Sequence, residues 1–317
     1  MTLTIGVDVG GTKVAAGLVD EDGTVLAQDR RPTPSTSPDQ VVAVIGELVD
    51  QLRSKAGARE VEAVGIGAAG LIDVARATVL FAPNLAWRNE PLRDHVAKRV
   101  GLPVVVENDA NAMAWAEYRF GAGRGVEHLV CLTVGTGIGG GIVQDGQLVR
   151  GGSGAAGEFG HVKVIPDGRR CGCGGRGCWE QYCSGRALVW EAQEFATVDP
   201  TRAQRMIELA DDEIENITGQ VITRAAREGD QAALDCYAVI GGWLGRGLSG
   251  LAAILDPSRF VIGGGVIDAG DLLLDPARTQ FTESLIGEGY RPPIDIVAAS
   301  LGPIAGLVGA ADLARLI

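Results

Sequence analysis

Two stretches of the chain carry the same alternation of apolar runs and glycine turns. Residues 5–19 read as an apolar strand, a turn at Gly10-Gly11-Thr12 and a second apolar strand, after which Asp22-Gly23 bends the chain into a third, Thr24-Val-Leu26. Residues 130–143 repeat the design around Gly135-Thr136-Gly137, with Asp145-Gly146 at the bend and Gln147-Leu-Val149 beyond it. Gly10 falls in register with Gly135, and Asp8 with Thr133. The repeat predicts a duplicated fold whose halves each open on a glycine-turn β-hairpin and hold ligands between them.

Elsewhere the apolar positions separate into two periods. Helical spacing predicts helices over residues 38–52, 91–100, 185–196, 201–228, 231–255 and 303–316. Short uninterrupted apolar runs predict strands at residues 61–67, 102–107 and 260–265, and the Pro-rich residues 32–38 are a loop. Strands alternating with helices indicate an α/β fold with a partly parallel sheet. A length of 317 residues exceeds what one hydrophobic core usually serves, so two lobes are expected, the last helix returning to the N-terminal one.

Composition narrows the partners. The chain is 46% hydrophobic and 21% charged and lacks the ~18 consecutive apolar residues of a membrane span, so no membrane partner is expected. The first strand starts almost at Met1 and leaves no room for a leader, which predicts a cytoplasmic protein with reduced thiols. The net charge of -12 argues against a nucleic acid held on a broad basic face. A small anion could still be bound locally by backbone amides and a metal ion.

Three glycine turns suit that task. Asp8-Val-Gly10-Gly11-Thr12-Lys13 offers backbone N–H groups and a hydroxyl to phosphate, and Asp8 at a strand end can hold Mg2+ directly or through water. Gly135-Thr136-Gly137 repeats it, and Gly263-Gly264-Gly265 follows another strand. One such turn is no more than a tight bend. Three, two of them in register, point to a nucleotide clamp. In 106–117 a buried strand ends at Glu107, and Asn108 or Asp109 then caps a helix, placing polar side chains where open α/β sheets bind ligands. Asp109 as a cap and nothing more is the plainer alternative.

Glu158 and His161 follow a Gly-rich run three residues apart, so both can point into one cavity. His161, Cys171, Cys173 and Cys178 then form a Cys3His set among glycines at 172, 174, 175 and 177. Such a set suits tetrahedral Zn2+ in a structural role, because four protein ligands leave no open position. Cys183 is a rival fourth ligand, and three incidental thiols are the alternative to any metal. Zinc here would fix His161, Glu158 and Glu180 relative to one another, leaving the second imidazole nitrogen to face a ligand.

These motifs together resemble the ROK family of repressors, uncharacterised reading frames and sugar kinases, and within it the bacterial ATP-dependent glucokinases. The resemblance rests on Asp8-x-Gly-Gly-Thr, Glu107-Asn-Asp-Ala-Asn-Ala112, residues 135–141, Gly157-Glu-x-Gly-His161, the 171–178 cysteine run and Trp179-Glu180, and it spans nearly the whole chain. It implies a two-lobed actin-like, ribonuclease-H-like fold, with the sugar deep in a cleft and the nucleotide near its mouth. A small α/β domain would comprise residues 1–108 and 301–317, and a larger one, carrying the zinc loop, residues 109–300.

The resemblance further implies that Asp109 is the catalytic base, that Asn84, Asn108, Asp109, Glu158, His161 and Glu180 bond the sugar hydroxyls, and that the cysteines and His161 hold zinc. Glucose and ATP would be the substrates and a homodimer or homotetramer the assembly. Polar side chains of this kind suit a ring of hydroxyls, and phosphoryl transfer asks mainly for positioning, Mg2+ and a base. Rival readings are a sugar-responsive repressor, a kinase for fructose or N-acetylmannosamine, a polyphosphate-using enzyme and an actin-like filament.

Overall fold

The computed structural model describes residues 2–317 except 35, 36, 83, 84 and 86. The chain divides into two compact units, Met1–Cys131 with Gly140–Gly157 and Ala299–Ile317, and Leu132–Gly139 with Glu158–Ala298.

The first unit is built on strands β1 (Leu3–Val9), β2 (Lys13–Val19), β3 (Val25–Pro32), β4 (Val61–Ala68) and β8 (Val104–Asn108), in the sheet order β3-β2-β1-β4-β8. β1 pairs antiparallel with β2 and parallel with β4, and β4 parallel with β8. β1 is buried along nearly all of its length, as expected of a strand covered on both faces, whereas β3 alternates as an edge strand does. On one face Ile5, Val7 and Val9 share a core with Val41, Ile45, Leu48 and Leu52 of α1 (Pro38–Lys55) and with Leu92 and Val96 of α2 (Leu92–Val100).

The opposite face takes α10 (Ala305–Ala314), which packs on β1, β4 and α3 (Asp109–Phe120). Gly6 of β1 and Gly65 of β4 stand side by side in register. A methyl on Gly6 would run into the carbonyl of Leu307, and one on Gly65 into that of Ala310. Two neighbouring glycines thus make a groove in the sheet that seats helix backbone. The predicted return of the C-terminal helix to the N-terminal strands is what the fold contains. A small three-stranded sheet, β5 (Leu71–Ile72), β6 (Val79–Ala82) and β7 (Trp87–Glu90), was not foreseen.

A second five-stranded sheet is formed by β9 (Leu129–Val134), β10 (Ile138–Gln144), β11 (Gln147–Val149), β12 (Arg259–Gly263) and β13 (Asp295–Ala298), in the order β11-β10-β9-β12-β13. Counted from each hairpin, both sheets run third, second, first, fourth, fifth. The sequence echo is therefore a duplication of topology, in the mixed α/β sheets that were predicted.

The second unit adds α4 (Glu180–Cys183), α5 (Gly185–Val198), α6 (Gln204–Leu209), α7 (Gly219–Arg227), α8 (Gln231–Leu255) and α9 (Asp271–Ser284). The single helix expected over residues 201–228 is broken. Asp211 and Asp212 take positive φ, the chain makes a 3-10 turn at Ile214–Asn216, and the Thr218 hydroxyl accepts from Val221 N–H to start α7. Short Asp side chains tolerate that backbone region, and Thr at an N-cap favours a fresh start over continuation. α8 is long and apolar enough to cross a membrane by length and composition. In the fold those positions are used in packing: Gly241 and Gly245 lie against Pro276 and the Ala277 backbone of α9.

Candidate functional site

In the first unit, parallel register gathers the polar strand ends. Asp8 pairs with Gly67, and Gly67 and Ala68 pair with Glu107 and Asn108. Asp8 and the β8–α3 junction thus meet at the same end of the sheet. Asn108 is the N-cap of α3: its Oδ1 accepts from Asn111 N–H at 3.0 Å while Nδ2 donates to Gly70 O at 3.1 Å. Asp109 follows as the first helical residue, and its Oδ1 accepts from Ala110 N–H at 2.9 Å. With the cap supplied by Asn108, the Asp109 carboxylate is not required to close the helix.

Burial pushes the Asp109 carboxyl up from its usual range, opposed by the Ala110 N–H, which favours the charged form. Asp8 is pushed up to about 6, first by burial and then by the charge of Asp109, with Lys13 acting the other way. Two neighbouring carboxylates, one at the end of β1 and one at the start of α3, can hold a cation or share a proton.

Glu107 organises the junction from behind. Its buried carboxylate accepts from Arg150 Nε at 2.7 Å, from Asn111 Nδ2 at 3.1 Å and from the Asn108 N–H at 3.1 Å, and Arg76 lies 3.5 Å away. Sequence reading assigned nothing to Arg76 or Arg150; basic residues so far along the chain from Glu107 give no local signal. Gly10 N–H closes the first glycine turn on Lys13 O at 3.0 Å, leaving Gly11, Thr12 and Lys13 exposed. Asn84 lies outside the described residues.

The second unit gathers the remaining residues. The donor atoms of His161, Cys171, Cys173 and Cys178 all lie within 4.8 Å of one another. Cys173 Sγ is 3.6 Å from Cys178 Sγ, and Cys171 Sγ is 3.6 Å from His161 Nδ1. A tetrahedron with Zn–S bonds of ~2.3 Å has S···S edges of about 3.8 Å, and one with a Zn–N bond of ~2.05 Å an S···N edge of about 3.6 Å, so these spacings fit an ion at the centre. All six cysteines are free. Cys183 is buried and turned to the Trp179 carbonyl at 3.6 Å, outside the group.

His161 faces the cluster through Nδ1, and its Nε2 lies 3.9 Å from Glu158 Oε2. Glu180 Oε1 accepts from Cys171 Sγ at 3.0 Å and from Gln181 Nε2 at 3.1 Å, and Glu180 Oε2 lies 3.4 Å from Ile138 N. Glu158 and Glu180 are thus assembled on one unit around His161 and the three thiols. Arg169, another residue without sequence signal, fastens the loop: its guanidinium lies 3.5 Å from the Trp190 ring centroid and donates to Gln181 O at 2.8 Å.

The second glycine turn closes by a 3.0 Å bond from Gly135 N–H to Gly137 O, and Gly135 O accepts from Gly185 N–H at 2.7 Å. Gly185 and Gly265 line a cavity of about 870 Å³ with Leu188, Thr218, Thr223, Arg227, Tyr237, Val266 and Asp268. Gly263 ends β12, and Gly264 leads into the 3-10 turn at Gly265–Ala269. The cavity is of a size for a nucleoside. Its helical wall, to which the sequence reading gave no role, is one face of α7, with Gly219, Gln220, Thr223, Arg224 and Arg227 at helical spacing, joined by Tyr237 of α8.

The ROK family model matches residues 4–316. The glucokinase of Streptomyces coelicolor is 53% identical over 315 residues, covering 99% of this chain and 98% of that one. The glucokinase of Thermotoga maritima is 38% identical over 313 residues, 98% of this chain and 96% of that one. A solved ROK family glucokinase from Streptomyces griseus, in complex with glucose and AMPPNP, superposes with a TM-score of 0.88 at 54% identity, covering 99% of this chain and 100% of that one.

Proposed function

Because the chain belongs to the ROK family, we infer that it is an ATP-dependent glucokinase, transferring the γ-phosphoryl group of ATP to the C6 hydroxyl of glucose to give glucose 6-phosphate. The observation that carries this reading is the likeness, along nearly the whole chain, to glucokinases that include one bound to glucose and an ATP analogue. The reading includes a cytoplasmic location and a homodimer or homotetramer as the assembly.

Asp109 is the general base. Burial lifts its carboxyl above the usual carboxylate range, which makes the carboxylate a better proton acceptor than a solvated one. It accepts the C6 hydroxyl proton as the oxygen attacks the γ-phosphorus and the bond to the leaving ADP oxygen breaks. Asn108, Glu158, His161, Glu180 and Asn84 bond the other hydroxyls, so that analogues lacking one leave a protein group unpaired. Residues 10–13, 135–137 and 263–265 hold the nucleotide, with the cavity beside Gly265 taking its nucleoside.

Asp8 is the proposed Mg2+ holder, and that ion would offset charge on the phosphates. The charge of Asp109, which helps to raise the Asp8 carboxyl, is consistent with a place for a cation. Zinc is proposed on His161, Cys171, Cys173 and Cys178, where it braces the sugar-binding side chains and takes no part in the transfer.

A coupled assay over a panel of hexoses with ATP, ADP and polyphosphate tests the reading. Glucose with ATP is expected to be the favoured pair, and Asp109→Asn to lower kcat by about 10²–10⁴-fold. A variant turning over near the wild-type rate removes Asp109 from the role.

A further inference from the structure

Lys163 stands directly opposite Cys178 in an isolated antiparallel bridge. Two backbone bonds set that register: Val164 N–H to Gly177 O and Trp179 N–H to Val162 O, both 2.8 Å. Residues opposed in this way carry their side chains on the same face. The Lys163 Nζ donates to Cys178 Sγ at 2.7 Å. Among the described residues this ammonium pairs with no carboxylate.

The space it occupies is kept open by Gly175. A methyl there would fall on Lys163 Nζ and come within 3.5 Å of Cys173 Sγ. The backbone thus leaves one side of the thiol pair bare, and a cation fills it. A dipositive ion with three thiolates and a neutral imidazole retains one negative charge, most of it on sulfur. An ammonium held against one of those sulfurs cancels it.

We propose that Lys163 is a positioning residue of the zinc centre: its ammonium, bonded to the Cys178 sulfur in the space left by Gly175, neutralises the zinc–thiolate group and slows loss of the ion. The proposal rests on the zinc reading above. The physical reason is that an ammonium bonded to the sulfur offsets the surplus negative charge of the group and occupies the side from which a competing ligand would reach that sulfur. Side chains that bond to metal ligands commonly alter metal affinity 10–100-fold when removed.

The test uses the full chain, with zinc content measured first and zinc release then followed with excess chromophoric chelator at neutral pH. Wild type is expected to hold about one zinc per chain. Lys163→Met should release it about 10-fold faster or more, Lys163→Arg at close to the wild-type rate, and Gly175→Ala, which displaces the ammonium, at a rate between those of wild type and Lys163→Met. Zinc-loaded Lys163→Met that releases at the wild-type rate overturns the proposal. So does equally fast release from Lys163→Arg and Lys163→Met, which would reduce the lysine to packing. If Lys163→Met does not fold, wild-type release from Gly175→Ala overturns it. Wild type without zinc would instead overturn the metal reading itself.

Discussion

Asp8 sits in an environment that costs the fold stability. Its carboxyl is pushed up to about 6, so in ligand-free protein the folded chain holds a proton that the unfolded chain, at the ordinary value of 3.8, has lost. Between those values the folded state binds more protons, and stability falls as pH rises through the window. Asp8→Asn is therefore expected to stabilise metal-free, ligand-free protein by on the order of 2 kcal/mol at pH 7.5, with the gain vanishing as pH approaches 4. Urea denaturation at both pH values measures it, and an equal gain at both would deny that the carboxylate charge is the cause. Asp8 was legible in the sequence as a polar residue at a strand end. Its proximity to Asp109 was not, because about 100 residues separate them and only the β1–β4–β8 register joins them. The cluster of His161, Cys171, Cys173 and Cys178 was legible as a set, since three of the four lie within eight residues among glycines; Lys163 was not, since only a β-bridge sets it against Cys178.

At the scale of elements, α10 and the sheet beneath it depend on the adjacent pair Gly6 and Gly65. Side chains there collide with helix backbone, which cannot move aside as a flexible side chain can. Gly6→Ala and Gly65→Ala are each expected to destabilise by about 3 kcal/mol, the upper range for overpacking. Gly67→Ala, whose methyl would meet nothing nearer than 3.6 Å, serves as the control in the same denaturation series. Equal losses at all three positions would assign the effect to strand glycine in general and not to the groove. The apolar period of residues 303–316 announced a buried helix, yet which glycines received it depended on register. The long apolar pattern of 231–255 also held, whereas 201–228 failed at an Asp pair whose positive φ outweighed helical spacing.

For the whole molecule, the duplicated hairpin was the most readable property, because both copies keep a glycine turn, Gly10 in register with Gly135, and an Asp-Gly bend. The three-stranded sheet of residues 71–90 was the least readable, since its strands are two to four residues long and lack a sustained period. Metal removal probes the molecule at this scale. Stripping zinc is expected to lower the unfolding midpoint by on the order of 5–10 °C, restored by Zn2+ and not by Mg2+. Calorimetry of stripped and reconstituted protein reads this directly, and a midpoint unchanged by stripping would separate the thiol cluster from stability. Arg169, stacked on Trp190, holds part of the loop without metal, so the loss of order in the stripped chain should be confined to the thiol end of residues 161–178.

The seating of α10 also sets a timetable. Its ten residues lie roughly 200 positions beyond the last strand of the sheet they cover, a gap that translation at about 5–20 residues per second takes about 10–40 s to close. Throughout that interval the nascent N-terminal sheet has a bare glycine-floored furrow, and the first unit to begin emerging from the ribosome is the last that can finish folding.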